Sequence, residues 1–187
     1  PMLDDATIIT ATQATPHQPI SSLCSMFSEG SDIRVLCPAV FPRLINACGT
    51  ATNEKTDAEL ILTEPVVSAL IKSYADTLAA FRNTGTDIKL LDSTPQYGFA
   101  VSEQPTGATA GLLITDESGA RALIKNSGPE AVAWVNKHID NWCSQATNLS
   151  SQATSAVGAP DAAASHSAET ETESTGSDDE ATTPDNG

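Results

Sequence analysis

The sequence predicts an α/β fold in which three βα units lead into an antiparallel meander and a C-terminal helix, a mixed sheet covered by helices. Two observations carry that prediction. Through the first half of the chain, short β-rich apolar runs alternate with stripes of apolar residues at three- and four-residue spacing, the pattern of strand followed by helix. From Ile88 to Ile124 the apolar runs are separated by turn residues alone, links too short for parallel crossovers.

Thr7 to Ala11 reads as the first strand, ended by the breaker-rich Thr15-Pro16-His17-Gln18-Pro19. Ile20, Leu23, Cys24 and Phe27 then form one helical stripe, with Gly30 as its terminator. Ile33 to Cys37 is a buried strand stopped by Pro38. Val40, Phe41, Leu44, Ile45 and Cys48 mark a second helix, with Pro42 in its first turn and Gly49 just past its end. Glu59 to Leu62 is the third strand. Thr63-Glu64-Pro65 opens a helix with a hydroxyl cap, an acidic first turn and a proline where a missing N–H is harmless. Its apolar face (Val66, Val67, Leu70, Ile71, Tyr74, Leu78, Phe81) predicts one helix running to Gly85.

The four short runs 88–91, 97–101, 111–115 and 120–124 are the expected meander. Ser127-Gly128-Pro129-Glu130 has the form of a capping box and opens a last helix with Val132, Val135, Ile139 and Trp142 on one face. Trp134 and His138 lie beside that face.

Composition narrows the function. The chain has 187 residues, about one domain. Its 9 basic and 24 acidic residues give a net charge of -15, which argues against direct binding to nucleic acid or to anionic lipid. Scarce lysine and dispersed acid suit a salt-rich cytoplasm, where screening removes most self-repulsion; an ordinary acidic protein is the plainer alternative. No apolar run reaches the roughly 18 residues of a membrane span, and no signal peptide is visible. Cys24, Cys37, Cys48 and Cys143 show neither close pairing nor zinc-like spacing, so reduced thiols and no metal are expected.

From residue 146 the chain carries eight acidic residues, no lysine or arginine and no aromatic side chain. Such a segment cannot bury enough apolar surface to offset its ordering entropy. The expected division is an α/β domain over 1–145 and a disordered acidic tail over 146–187.

Reactive constellations are missing. The sequence has no G-x-S-x-G elbow, Walker loop or G-x-G-x-x-G, and no H-x-K-x-x-x-x-D signature of the phospholipase D type. No catalytic residue and no cofactor is therefore assigned. The remaining candidates lie in the loops beyond the strands' carboxyl ends, where α/β proteins gather ligands. They are His17, Pro38, Thr63, Glu64 and Tyr97. Two of these loops lead into helix N-termini, which favour anionic or carbonyl groups. The plainer readings are an exposed histidine for His17, simple capping for Thr63 and a core aromatic for Tyr97. His138 reads as a core-edge or surface residue, and His166 lies in the tail.

Four stretches, IRVLCPAVFPR (33–43), AELILTEPVV (58–67), QYGFAVSE (96–103) and ARALIKNSGPEAVAW (120–134), appear in an order and spacing that resemble a known family. It is the middle, or effector, domain of archaeal winged-helix regulators of the methanogenesis-regulatory-protein type. The resemblance spans about residues 5–145. It implies a domain that follows an N-terminal winged helix-turn-helix in a cytoplasmic regulator, and it supplies no catalytic residues. No recognition helix precedes Asp4, so DNA contact is expected only through an upstream domain outside this chain. The expected function is a ligand-sensing and dimerisation domain of a transcriptional regulator, with a homodimer and a small-molecule or protein effector as partners. The helix from Glu64 and the last helix, with its two tryptophans, are the candidate interface surfaces. The alternatives are a stand-alone protein-interaction module and a small hydrolase-type enzyme sited in the strand-end loops.

Overall fold

The computed structural model describes residues 2–53 and 57–149. The expected tail therefore lies outside the described residues except for 146–149. Within them run β1 (Thr7–Thr10), α1 (Gln18–Ser28), β2 (Asp32–Cys37), α2 (Pro42–Asn53), β3 (Asp57–Thr63), α3 (Glu64–Ser73) and α4 (Ala75–Asn83). They are followed by β4 (Asp87–Leu91), β5 (Tyr97–Gln104), β6 (Gly107–Asp116), β7 (Gly119–Asn126), α5 (Pro129–Cys143) and β8 (Thr147–Asn148). The protein is an α/β fold with a mixed sheet covered by helices, as its sequence predicts.

The eight strands lie in the order β1-β7-β6-β5-β2-β3-β4-β8. β2, β3 and β4 are parallel; all other pairs are antiparallel. Strand alternation divides the core. Val35, Cys37, Leu60, Leu62, Ile88, Ala100 and Leu113 pack with α1 to α4 on one face. Leu36, Ile61, Leu91, Phe99, Val101 and Ile124 pack on the other, under Ala131, Val135 and Ile139 of α5. Among the described residues α5 is the one helix on this second face.

Four local expectations are corrected. The strand from Asp87 does not join the meander: it pairs parallel to β3, because a helical segment precedes it and returns the chain as a crossover. The helix expected from Glu64 to Gly85 is two helices, since Tyr74 leaves the helical region at φ -133, ψ 41. Tyr74 still donates to the Leu70 carbonyl and accepts from the Leu78 N–H, so the break leaves these groups paired. Gly49 does not end α2 but lies inside it. A Cβ there would stand 2.9 Å from Thr77 Cγ2, so glycine is what lets α4 pack this closely on α2.

The fourth correction concerns capping. Ser127 makes no cap for α5; its hydroxyl meets that of Thr109, and the Gly128 N–H donates to Asn126 Oδ1 at 2.7 Å. The Thr63 hydroxyl likewise makes no cap bond for α3.

Candidate functional site

Strand polarity decides which loops meet. β1, β2, β3, β4 and β6 all point the same way, so their carboxyl ends share one edge of the sheet, together with the start of β5. The loop after β1, the loop after β2, the start of α3 and the β6–β7 hairpin lie along that edge. The loops holding His17, Pro38 and Thr63 therefore do share an edge, although β1 and β2 are separated by three intervening strands.

A groove of about 480 Å³ opens at this edge between α1, α2 and the β6–β7 hairpin, lined among others by His17, Ile20, Phe41, Arg43 and Ser118. His17 is the N-cap residue of α1 and its carbonyl accepts the Ser21 N–H at 2.9 Å. Pro42 and Arg43 begin α2. The amino ends of α1 and α2 meet the groove wall. Pro19 and Pro42 carry no N–H and the Gln18 N–H donates to the Thr15 carbonyl at 3.3 Å, so what these ends bring is chiefly the positive pole of the helix dipole. Arg43 adds a full charge. Its guanidinium donates to Ser21 Oγ at 3.2 Å, holding it across the α1–α2 junction. The opposite wall is Ser118, Gly119 and Ala120; behind it Asp116 accepts from the Ser118 N–H at 2.9 Å and from the Ser118 hydroxyl at 2.7 Å, and pairs with Arg121. Hydrogen bonds from Arg121 and Ser118 lower the Asp116 carboxyl to about 2, so it is ionised. Gly119 closes the turn at φ 120, a conformation open to glycine.

Of the sequence candidates, His17 lines the groove. Pro38 and Thr63 are buried and meet each other: the Thr63 hydroxyl donates to the Pro38 carbonyl at 3.1 Å, tying the end of β2 to the end of β3. Glu64 is exposed at the first turn of α3. Tyr97 is 46% exposed and sits two residues before Phe99, on the face served by α5. There Phe99 stacks on His138 with ring centroids 5.4 Å apart, and Trp134 lies 4.0 Å from His138. Sequence reasoning missed Arg43 and the 116–120 turn. The proline-led start of α2 was a signal for the first; nothing local placed the hairpin beside His17.

A second polar cluster lies on the α5 face. Glu59 accepts from Arg34 Nε at 2.8 Å and from Lys89 Nζ at 2.6 Å. Arg34 also reaches Asn136 and Asp140 on α5 at 2.8 and 2.6 Å. Burial pushes the Glu59 carboxyl up, but hydrogen bonds from Lys89, Cys143 and Arg34 outweigh it and hold the group down at about 2. The cluster pins α5 to β2, β3 and β4.

Among the described residues no group of three or more His, Cys, Asp or Glu is placed to hold a metal ion. No helix among them is long and apolar enough to cross a membrane.

The family described as the methanogenesis regulatory protein FilR1, middle domain, matches residues 16–145. The chain belongs to that family. It is thus a domain of a transcription-regulator family, as the resemblance implies. Comparison with curated proteins gives no significant match. Among solved structures, TrmBL2, an archaeal chromatin protein, is similar with a TM-score of 0.61 at 9% identity, over 77% of this chain and 55% of that one. The regulator domain spans about half of the TrmBL2 chain. Nuc from Salmonella typhimurium, a phospholipase D family member, is similar with a TM-score of 0.56 at 11% identity, over 77% of this chain and 98% of Nuc. NucT from Helicobacter pylori gives 0.57 at 11% identity, over 78% and 99%. At such identities the likeness is one of fold. The phospholipase D type signature is absent from this sequence.

Proposed function

We propose that this domain is the sensing and dimerisation part of a cytoplasmic transcription regulator. It binds a small anionic ligand in the groove at the carboxyl edge and relays occupancy to DNA-binding modules outside this chain. The observation that carries the reading is the convergence of two helix amino ends, Arg43 and His17 on one groove in a chain of net charge -15. Against that acidic background, a local concentration of positive potential selects anions of modest size. Family membership supports the regulatory role, and no reactive constellation accompanies the groove to make it catalytic.

In this reading Arg43 and His17 touch the ligand, while Thr63 and Pro38 fix the loop from which α2 starts. Glu64 and Tyr97 stand at the same edge as outer contacts. The domain acts as a homodimer; exposed Ile71 on α3, at 59%, and Tyr97 beside the α5 aromatics mark the two candidate faces. A salt-rich interior is the setting that its charge suits.

Thermal shift against a panel of small carboxylates and phosphates at fixed ionic strength tests the reading. At least one anion is expected to raise the melting temperature of the wild-type chain and to lose that effect in Arg43→Ala. A panel without effect, or shifts identical in Arg43→Ala, contradicts the site. Turnover of a panel compound that is abolished in His17→Ala would favour the enzyme alternative.

A further inference from the structure

The four cysteines occupy different surroundings. Cys37 and Cys48 are buried in the helix-covered core, and burial pushes the Cys37 thiol up to about 12. Cys24 is half-buried and lies 3.6 Å from the Arg43 carbonyl. Cys143, the last residue of α5, is half-buried against an amine: Lys89 Nζ stands 2.7 Å from its Sγ. That separation is inside the van der Waals contact of nitrogen and sulfur and shorter than an ordinary N–H···S hydrogen bond. It is the span that one bridging oxygen atom covers.

We propose that Lys89 and Cys143 are the two ends of an oxidative crosslink, a nitrogen–oxygen–sulfur bridge that peroxide forms between Nζ and Sγ and that clips α5 onto β4. Both ends are positioned before any reaction. Lys89 is held by Glu59 at 2.6 Å and by Asp87 at 3.0 Å, and Cys143 donates to Glu59 Oε1 at 3.0 Å. Because β4 and α5 carry the two groups, little freedom remains to be lost on joining them. The Lys89 side chain is 18% exposed, which leaves a molecule the size of peroxide a way in.

The chemistry balances with two equivalents of hydrogen peroxide. The first oxidises the thiol to the sulfenic acid: the S–O bond forms, the O–O bond breaks, the S–H proton is lost and the departing hydroxide leaves as water. The second oxidises the Lys89 amine, after loss of its ammonium proton, to the hydroxylamine and releases another water. The hydroxylamine oxygen then displaces the sulfenic hydroxyl on Sγ, and a third water leaves. The sum is Cys–SH + Lys–NH3+ + 2 H2O2 → Cys–S–O–NH–Lys + 3 H2O + H+, four electrons passing to the peroxide. The product lacks the Lys89 charge and the S–H donor, so Glu59 keeps Arg34 as its cationic partner, and a reversible hydrogen-bonded contact becomes a covalent one. This makes the helix that covers the second face of the sheet responsive to oxidant, independently of the anion groove.

Intact-mass measurement of the full chain after peroxide treatment, with peptide mapping, tests the bridge. The expected product gains one oxygen and loses two hydrogens, yields a linked peptide containing Lys89 and Cys143, and reverts with dithiothreitol. It is absent in Cys143→Ser and in Lys89→Arg, the latter keeping a cation beside Glu59 so that the fold is retained, which circular dichroism checks. Gains of whole oxygens alone at Cys143, loss of two hydrogens with no oxygen gained, no reaction at Cys143, or the bridged mass in Lys89→Arg would each overturn it.

Discussion

A threonine hydroxyl holds two strand ends together beside the groove. Thr63 is fully buried, and its hydroxyl satisfies the Pro38 carbonyl at 3.1 Å. Thr63→Val keeps the shape and removes the donor, leaving that carbonyl unpaired away from water. The expected cost is about 1–3 kcal/mol, read by urea denaturation with an unchanged m-value; a loss of a few tenths would mean the bond contributes little. Glu59 makes a pH-dependent contribution. Its folded value of about 2 lies below the usual 4.5, so its stabilisation is present above about pH 4.5 and is lost as pH falls toward 2. Glu59→Gln should cost roughly 2 kcal/mol at neutral pH, discounted for the partial exposure of Arg34. The difference between wild type and variant should shrink through that acid window. Denaturation at a series of pH values checks both points, and a constant difference contradicts the assignment.

At the scale of elements, helix packing turns on Gly49. Adding a methyl there favours the helix by up to about 1 kcal/mol but drives it into Thr77, a clash of about 1–3 kcal/mol. Gly49→Ala is therefore expected to be net destabilising by about 1 kcal/mol, and Gly49→Ala with Thr77→Ser to recover that loss in thermal melts. Recovery failing in the double variant would show that the close α2–α4 approach is not the cause. The same elements show what the sequence carries. The helix over 20–27 was legible because it buries one stripe, and 33–37 and 59–62 because both faces of these strands are buried, leaving short continuous apolar runs. The strand over 7–11 was legible from its β-rich composition alone, since β1 buries no residue. Gly49 was misread as a terminator because glycine ends a helix and permits close packing with the same symbol. The break at Tyr74 was invisible because the apolar stripe continues across it. The short β8 has no pattern of its own; it exists through pairing with β4.

For the molecule as a whole, strand order was the information missing from the sequence. The loops of His17 and Phe41 are local features, but the groove also needs the 116–120 turn, which arrives because β1 pairs with β7 at the far edge of the sheet. Long-range pairing of that kind leaves no periodic trace, whereas the edge on which ligand loops gather follows from strand direction alone. Net charge also acts at this scale. With -15 on the chain, raising potassium chloride from about 0.01 M to 1 M shortens the screening length from ~30 Å to ~3 Å, and the melting temperature should rise over that range. A steady fall would mean that the screened ion pairs outweigh self-repulsion. Transmission is the central claim: occupancy of the groove must favour one arrangement of a dimer. Sedimentation equilibrium of the chain, with and without the anion that most raises its melting temperature, measures it at fixed ionic strength. The dimer association constant should change by at least about 5-fold in the wild type and stay put in Arg43→Ala. An association constant indifferent to a bound anion, or a chain that remains monomeric throughout, would contradict the account.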